Sequence, residues 1–275
     1  MAVILAGEGL NYSYVPDEQV LHAVDIAVHE QSVMYLLGHN GCGKTTLLEI
    51  LSGLRTPHQG TVTLNGKNIY HMPSHKRAQR VGLVPQMHTP VFAYTVREVV
   101  LMGRTPYLRF LGAPNLQDYT IVDEALKTVG LTDLQHRPYT DLSGGERQLT
   151  LIARGLAQQT DILLLDEPAA HLDPRNQHLV LETIVALAKH QEVSFVITSH
   201  NPNSALLYAD QVIVMKTGRV VASGTPAEVL TEKTLSKSYD MPVEVIYNED
   251  HVARAVVPRR SNGQRQLRQA VPYDE

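Results

Sequence analysis

Short apolar runs alternate with stretches of helical periodicity along most of the chain. The apolar runs of strand type occupy residues 32–37, 81–84, 162–165, 193–198 and 211–215. The first run leads through a glycine-rich stretch into Lys44–Leu51, where apolar side chains recur at helical spacing. This alternation predicts an α/β fold built around a mainly parallel sheet.

Other segments with strand composition lie in the first quarter of the chain. Asn65-Gly66 directly follows the last of them and is a strong signal for a tight turn. We expect these segments to form an antiparallel β subdomain beside the central sheet. They are Val3–Tyr14, Val20–His29 and Thr61–Leu64.

The region between residues 89 and 158 has a different character. It contains helical stretches at Val96–Met102 and Asp118–Val129 and no clear strand before residue 137, which predicts a helical subdomain inserted into the core. Residues 1–250 are therefore assigned to one domain. Residues 251–275 contain several arginines and few apolar side chains, which predicts a poorly ordered extension. A tether to anionic lipid is a second hypothesis for this extension.

Gly38–Thr45 reads GHNGCGKT between an apolar run and a helix, the order that a phosphate-binding loop requires. Gly41 and Gly43 permit positive φ, so that backbone N–H groups can turn toward anionic oxygens at a helix N-terminus. Lys44 is expected to reach the β- and γ-phosphates of a nucleoside triphosphate, and Thr45 to hold Mg²⁺. The predicted nucleotide-binding residues of the loop are Gly38, His39, Asn40, Gly41, Cys42, Gly43, Lys44, Thr45 and Thr46.

Cys42 is the single cysteine of the chain and lies inside this loop. One cysteine cannot form an intrachain disulfide. Two interpretations stay open: a small side chain that fills space where serine would also fit, or a redox-sensitive thiol whose pKa is lowered by the helix N-terminus. The second predicts that alkylation of the thiol blocks nucleotide binding.

The composition is typical of a soluble intracellular enzyme. The chain has 275 residues, of which 43% are hydrophobic and 19% charged, and its formal net charge is -4. No apolar run approaches the roughly 18 to 20 residues that span a bilayer, and the N-terminal MAVILAGEG is too short for a signal peptide. We expect a protein on the cytoplasmic side of the membrane, and the near-neutral charge argues against wide contact with nucleic acid.

Two carboxylates follow the apolar run at residues 162–165. Asp166 and Glu167 thus emerge at the carboxyl end of a predicted strand, the edge at which such sheets bind ligands. We expect Asp166 to bind Mg²⁺, partly through water, and Glu167 to polarise the attacking water. Phosphoryl transfer needs such an oriented nucleophile and neutralised charge.

Two polar residues after other apolar runs are candidates for the same edge. His200 comes two residues after the run at 193–198 and is expected to contact the γ-phosphate. Gln86 follows Val81–Val84 and Pro85, where the core gives way to the helical subdomain. Gln86 is therefore predicted to contact the metal and the nucleophilic water while moving with that subdomain.

A second glycine-rich element, LSGGERQ at Leu142–Gln148, lacks a lysine and a metal ligand. Ser143 is a capping residue before the helical stretch Glu146–Ala157, which predicts an anion-binding helix N-terminus. Such a half-site completes a triphosphate site when a second copy of the chain supplies the other half, and a twofold dimer does this twice. The residues predicted to contact the ATP of the other copy are Ser143, Gly144, Gly145, Glu146 and Gln148.

The motifs GHNGCGKT, Gln86, LSGGERQ, ILLLDEP, HLD and His200, in this order, resemble the ATP-binding subunit of ATP-binding cassette (ABC) transporters over residues 3–250. The resemblance implies a P-loop NTPase core of the ABC type, ATP and Mg²⁺ as cofactors, and an ATPase coupled to transport. It implies that Gln86 is the Q-loop glutamine, Ser143–Gln148 the signature, Asp173 the D-loop aspartate and His200 the switch histidine.

The same resemblance implies that Tyr14 stacks on adenine, with Tyr12 as the alternative. One departure from the family is Ala170-His171, where the family usually has Ser-Ala before Leu-Asp. The missing serine hydroxyl removes one possible hydrogen bond across the dimer.

Two parts of the chain resemble ATPases that serve metal-chelate importers for ferric siderophores, haem and vitamin B12. They are residues 95–107, TVREVVLMGRTPY, and residues 224–243, which contain GTPAE and YDMPV. We expect the cargo to be a ferric siderophore, with haem, cobalamin or a metal ion as alternatives. The resemblance implies integral membrane permease subunits, a periplasmic or lipoprotein substrate-binding protein, and a peripheral location on the cytoplasmic face of the inner membrane.

ABC ATPases that act on nucleic acid or ribosomes represent different functional classes. Chromosome-organising members resemble the chain in both glycine-rich motifs but place a long coiled coil between them, whereas in this chain Ser143 is only 57 positions after Gln86. Translation-factor members normally carry two cassettes, whereas one is present here. We therefore expect no nucleic-acid partner.

Overall fold

The computed structural model describes residues 2–86, 92–109, 112–250 and 252–259. Its strands are β1 (Val3–Ser13), β2 (Gln19–His29), β3 (Val33–Leu37), β4 (Gln59–Leu64), β5 (Lys67–Asn68), β6 (Val81–Val84), β7 (Ile162–Leu165), β8 (Ser194–Ser199), β9 (Gln211–Lys216), β10 (Arg219–Gly224), β11 (Val243–Tyr247) and β12 (Ala253–Pro258). Its α-helices are α1 (Lys44–Leu51), α2 (Ser74–Ala78), α3 (Val96–Leu101), α4 (Leu116–Thr128), α5 (Gly144–Ala157), α6 (Pro174–His190), α7 (Pro202–Tyr208), α8 (Pro226–Val229) and α9 (Glu232–Tyr239). Short 3₁₀ helices lie at Ile69–His71, Met102–Tyr107, Thr132–Leu134 and Tyr139–Asp141.

The central sheet has six strands in the order β10-β9-β3-β8-β7-β6. β3 pairs in parallel with both β8 and β9, and β7 pairs in parallel with β6 and β8. β10 alone is antiparallel, because a tight turn folds it back onto β9. The predicted mainly parallel sheet is confirmed. Because β8 lies between β3 and β7, the carboxyl ends of these three strands are adjacent at one edge of the sheet.

The two faces of the central sheet carry separate apolar layers, as the period of two in a strand requires. On β3, Val33, Tyr35 and Leu37 face the layer that contains α5 and α6. Met34 and Leu36 face the other layer, which contains α1 and the antiparallel sheet. Burial on both faces explains why β3 and β7 are continuous apolar runs.

The predicted antiparallel β subdomain is present as a sheet of order β2-β1-β4-β5. Asn65 (φ 47°) and Gly66 (φ 72°) both have positive φ and connect β4 to β5. This is the conformation that Asn-Gly favours in a two-residue hairpin turn. The sheet covers α1, so it shields one side of the helix that begins at the phosphate loop.

Helices α3, α4 and α5 lie between β6 and β7 in the chain, and they pack against one another. α3 and α4 begin with capping boxes, in which Thr95 pairs with Glu98 and Asn115 with Asp118. Arg104 Nε donates to Asp118 Oδ1 at 2.9 Å, and both side chains are buried. Within the described residues, no helix combines the length and the apolar character needed to cross a bilayer.

The predicted poorly ordered extension from residue 251 is corrected for residues 253–258, which form β12 against β11. Val256 is buried, and Asn203 on α7 holds its backbone by donating to the carbonyl at 3.1 Å and accepting from the N–H at 2.7 Å. Arg259 lies 3.6 Å from Glu232. Arg254 is exposed between the half-buried Ala253 and Ala255. Residues 260–275 lie outside the described residues.

Candidate nucleotide-binding site

The phosphate loop joins β3 to α1 in the conformation that its glycines permit. Gly41 (φ 80°) and Gly43 (φ 102°) lie in the left-handed region. Gly43 caps α1 without a side-chain hydrogen bond to the helix, so backbone N–H groups are left to a ligand. A Cβ at Gly43 would lie 2.9 Å from Leu21, which adds a steric reason for glycine.

Lys44 lies across the mouth of the loop. Its Nζ donates to the carbonyl oxygens of Gly38 at 2.9 Å and His39 at 3.2 Å. The same Nζ is 3.6 Å from Glu167 Oε1, and the Lys44 side chain is 5% exposed. The buried ammonium thus has oxygen partners on both sides, as a charged group with little solvent contact requires.

Asp166 accepts two hydroxyl hydrogen bonds at the end of β7. Thr45 Oγ1 donates to Oδ2 at 2.8 Å, and Thr198 Oγ1 donates to Oδ1 at 2.6 Å. Thr198 also accepts from the N–H of Glu167 at 2.8 Å. Thr198 was not identified from the sequence, although it ends an apolar run and so carried the same signal as Asp166.

Glu167 is the point where several predicted site residues meet. His200 Nδ1 lies 3.2 Å from Oε2, and Gln86 Nε2 lies 3.4 Å from the same oxygen. With Lys44 on Oε1, three side chains from different elements surround one carboxylate whose exposure is 11%. Glu167 has φ 46°, a conformation that is costly for a residue with a side chain and is often found at functional sites.

Lys44, Gln86 and Glu167 border a cavity of about 370 Å³ beside the phosphate loop, whereas His200 approaches Glu167 from outside its lining. This volume lies in the range of small-molecule sites. Val20, at the start of β2, also lines the cavity and was not predicted from the sequence. Its proximity to the phosphate loop depends on how the antiparallel sheet packs on the core. The lining residues are Tyr14, Val20, Asn40, Gly41, Gly43, Lys44, Thr45, Thr46, Gln86 and Glu167.

Tyr14, rather than Tyr12, lies at this cavity. The Tyr14 hydroxyl is 3.0 Å from Thr46 Oγ1, and Arg55 Cζ lies 4.7 Å from the ring centroid. The Tyr12 ring stacks on His58 with an interplanar angle of 4°, and its hydroxyl accepts from Arg55. Tyr12 therefore already has a stacked aromatic partner, whereas Tyr14 has only a T-shaped contact with Tyr12, at a centroid distance of 5.2 Å, and is 51% exposed.

Cys42 is buried, with 1% of its surface exposed. Burial raises the pKa of its thiol above the usual value, although the nearby Lys44 acts in the opposite direction. The thiol is therefore protonated at neutral pH. This geometry supports the space-filling interpretation and argues against an activated, redox-sensitive thiol.

Mg²⁺ prefers oxygen ligands and retains several from water or phosphate. Thr45 and Gln86 line the cavity and carry side-chain oxygens, and Asp166 accepts a hydrogen bond from Thr45 Oγ1, so these residues fit that preference. The described ranges contain no group of three or more His, Cys, Asp or Glu side chains able to hold a metal ion. A metal at this cavity would therefore draw its remaining ligands from the nucleotide and water.

The signature residues lie on α5, outside the lining of this cavity. Ser143 and Glu146 form a capping box: the Ser143 N–H donates to Glu146 Oε2 at 2.7 Å, and the Glu146 N–H donates to Ser143 Oγ at 3.3 Å. Hydrogen bonds to the Glu146 carboxylate from the Ser143 hydroxyl and from the Ser143 backbone N–H lower the pKa of Glu146. Gln148 is buried, and its Nε2 has no hydrogen-bond partner among the described residues.

The two signature glycines are also required by packing within the chain. A Cβ at Gly145 would lie 2.7 Å from Asn176 Oδ1, and one at Gly144 would lie 3.0 Å from Leu172. Both contacts belong to the D-loop and the start of α6. Close packing therefore links the signature to the D-loop of the same subunit.

Asp173 caps α6, which begins with Pro174. Its carboxylate accepts from the Asn176 N–H at 3.0 Å and from Asn176 Nδ2 at 2.6 Å, and the backbone bond is the main reason for its lowered pKa. His171, part of the departure from the family pattern, has φ 62°. The D-loop thus contains a residue with a strained backbone, His171, two positions before the N-cap of α6, Asp173.

Comparison with known proteins agrees with this geometry. The family model described as ABC transporter matches residues 21–170. The chain is 40% identical over 245 residues to the Hemin import ATP-binding protein HmuV of Rhodococcus jostii, covering 88% of this chain and 82% of that protein. It is 34% identical over 239 residues to the Molybdate import ATP-binding protein MolC of Haemophilus influenzae, covering 87% and 89%.

A similar architecture occurs in a solved structure of an inward-facing ABC transporter assigned to the metal-chelate type. The TM-score is 0.82 at 31% sequence identity, and the match covers 94% of this chain and 98% of the other. Sequence, fold and family model agree over the region that contains the phosphate loop, Gln86 and Glu167. The chain therefore belongs to the ABC transporter family and is an ATP-binding ATPase.

Proposed function

We propose that the chain is the ATP-hydrolysing subunit of an importer for a metal chelate, most specifically an iron chelate. The observation that carries the ATP-hydrolysing role is the convergence of Lys44, Gln86 and His200 on Glu167, beside the Thr45–Asp166 pair. This arrangement brings a phosphate loop, an oxygen-rich metal site and a carboxylate base together at the carboxyl ends of β3, β7 and β8. These are the parts that phosphoryl transfer to water needs.

The proposed division of roles follows from the hydrogen bonds. Thr45 and Asp166 would hold Mg²⁺, which neutralises phosphate charge. Glu167 would accept a proton from the attacking water, and Gln86 and His200 would orient that water and the γ-phosphate. Asp166 suits the metal role because its two oxygens are fixed by hydroxyl groups rather than by a competing cation.

The contacts of Lys44 would change when a nucleotide binds. Its ammonium is held by Gly38, His39 and Glu167 in the described structure. Phosphate oxygens would compete for that ammonium, since charged acceptors form stronger hydrogen bonds than carbonyls. Withdrawal of Lys44 from Glu167 would leave the carboxylate free to accept a proton from water.

We further propose that ATP is shared between two copies of the chain. The Ser143 hydroxyl accepts from the Glu146 N–H and interacts with the Glu146 carboxylate, and a phosphate oxygen of the partner's nucleotide would compete with that carboxylate for the hydroxyl proton. Gly144 and Gly145 add backbone N–H groups at the start of α5. Asp173 and Gln148 would contribute from the same side of the interface.

The proposed partners are integral membrane permease subunits, with a substrate-binding protein acting indirectly. The subunit would be peripheral, on the cytoplasmic face of the inner membrane. A ferric siderophore is the cargo expected from residues 95–107 and 224–243. The 40% identical relative is named for hemin import, which supports haem as the second candidate cargo. Cobalamin and a metal ion are the third and fourth candidates.

Proteoliposomes that contain the chain and its co-purified membrane subunits test this function. We expect ATPase activity to rise when a binding protein loaded with one iron chelate is added, and not with the unloaded protein. Binding proteins loaded with a ferric siderophore, haem or cobalamin, added one at a time, identify which cargo stimulates the ATPase. Lys44→Ala serves as the inactive control. Failure of every loaded binding protein to stimulate ATPase activity or uptake would contradict import.

A further inference from the structure

A second cavity, of about 190 Å³, adjoins the proposed active site on the side of the sheet that faces α6 and α7. Its walls are the D-loop segment Pro168–His171, the loop Ser199–Asn201 and Gln177 of α6, and Glu167 lines both this cavity and the phosphate-loop cavity. The cavity therefore contacts the proposed catalytic base, Glu167, on the side away from the phosphate loop. It lies between the D-loop segment and the loop that contains His200.

Tyr35 brings an unusual polar group to this cavity. It lies in the middle of β3, it is completely buried, and it lines the cavity. Its hydroxyl has no hydrogen-bond partner among the residues that the structure describes. A buried hydroxyl without a partner is costly, so such groups are generally satisfied by protein or by ordered water.

Water fits this site by size and chemistry. A water molecule occupies about 30 Å³ of liquid volume, so the cavity has room for several. Burial raises the pKa of Tyr35 well above its usual range, so the phenol keeps its proton and can donate. Gln177, Ser199 and Ser204 add polar groups to the same lining.

We propose that this cavity binds ordered water on the Tyr35 hydroxyl and that the water supports the D-loop segment from the sheet side. Tyr35 is then a positioning residue for Glu167, acting through water and the D-loop backbone. The inference rests on the proposed role of Glu167 in hydrolysis.

The backbone around the cavity explains why such support matters. Glu167 (φ 46°) and His171 (φ 62°) hold left-handed conformations at the two ends of the segment, and strained residues persist only when their surroundings fix them. Protein groups already hold this region by three bonds: the Glu167 N–H donates to Thr198 Oγ1 at 2.8 Å, the Ala170 N–H donates to Glu167 O at 3.0 Å, and Gln177 Nε2 donates to Leu172 O at 2.9 Å. Water on Tyr35 would add a link to β3, the strand that leads into the phosphate loop.

Tyr35→Phe is the decisive variant, because it removes only the hydroxyl and leaves the packed ring. In the full chain with its membrane subunits, we expect kcat to fall roughly three- to tenfold, the effect of one lost hydrogen bond, with KM for ATP and the Tm unchanged. Tyr70→Phe is the matched control: its hydroxyl donates to Ile50 O at 2.8 Å and Arg55 O at 3.0 Å in the antiparallel layer. It should lower the Tm and leave kcat unchanged.

A high-resolution crystal structure supplies the second measurement, and water density within hydrogen-bond distance of Tyr35 Oη is expected. A dry cavity, or a Tyr35→Phe variant with wild-type kcat, overturns the inference. A fall in kcat that comes with a matching loss of Tm or ATP affinity assigns Tyr35 a structural role and also overturns it. If Glu167→Gln itself keeps wild-type turnover, the proposed function fails instead, so the two failures can be told apart.

Discussion

Glu167 is the residue on which the proposed chemistry depends. Its place at the end of β7 could be predicted, because an apolar run marks the strand and ligands bind at the carboxyl edge of parallel sheets. Its partners could not be predicted from geometry, because strand order decides them. β8 lies between β3 and β7, and this neighbourhood brings Thr198 and His200 beside the carboxylates. Local pattern does not encode which strands become neighbours.

Thr198→Val tests the importance of that neighbourhood. The substitution keeps the shape but removes the donor to Asp166 and the acceptor for the Glu167 N–H. We expect the free energy of unfolding to fall by about 1–3 kcal/mol, the cost of leaving a buried polar group unsatisfied, together with a lower kcat. Urea denaturation and ATPase assays measure both effects.

Thr183→Val is the matched control, because its hydroxyl donates only to the Leu179 carbonyl on the outer part of α6. A change within about 0.5 kcal/mol is expected there. Equal behaviour of the two variants would show that Thr198 does not fix the carboxylates.

Among the elements, long or continuous patterns were predicted best. The apolar run at residues 162–165 coincides with β7, and the predicted helix Asp118–Val129 lies within one or two residues of α4 at each end. The hairpin β11–β12 was missed because its second strand lies in a C-terminal segment that has several arginines and few apolar residues. That composition is also typical of a solvated tail, and the local pattern contains neither the pairing with β11 nor the bonds of Val256 to Asn203 on α7.

Helix α5 has a pH-dependent cap. Hydrogen bonds from Ser143 lower the pKa of Glu146 from its usual 4.5. The folded value lies below the unfolded one, so this carboxylate stabilises the fold fully above the unfolded value and loses that contribution as the pH falls through the folded value. Between about pH 6 and about pH 3, we expect wild type to lose more free energy of unfolding than Glu146→Gln.

Urea denaturation across that pH range measures the difference, with Glu124→Gln on the exposed face of α4 as the control. Glu124→Gln should follow the wild-type pH dependence more closely than Glu146→Gln does. Identical curves for wild type and Glu146→Gln would mean that the cap does not act through its charge.

At the scale of the whole molecule, one chain carries a phosphate loop and a signature in separate places. The signature was predictable as a helix N-terminus from its serine and glycines. Its packing against Leu172 and Asn176 was not, because it depends on how α5 crosses α6. The same packing suggests a physical route by which contacts at the signature reach the D-loop and Glu167.

Ser143→Arg tests the shared site. A long cation at the start of α5 should obstruct a second subunit while leaving the phosphate loop intact, so monomers should bind ATP with unchanged affinity and form no ATP-dependent dimer. Light scattering with and without ATP measures the assembly. Thr132→Arg adds the same charge on the exposed surface of the helical subdomain and should dimerise normally. An ATP-dependent dimer of Ser143→Arg equal to wild type would contradict a shared site.

The most direct measurement is ATP turnover by Glu167→Gln, which keeps the size of the side chain but removes the proton acceptor. We expect ATP binding to be retained, turnover to fall by a factor on the order of 100 or more, and an ATP-bound dimer to accumulate. Glu124→Gln should turn over at the wild-type rate. Unchanged turnover by Glu167→Gln would contradict the assignment of Glu167 as the base that activates water.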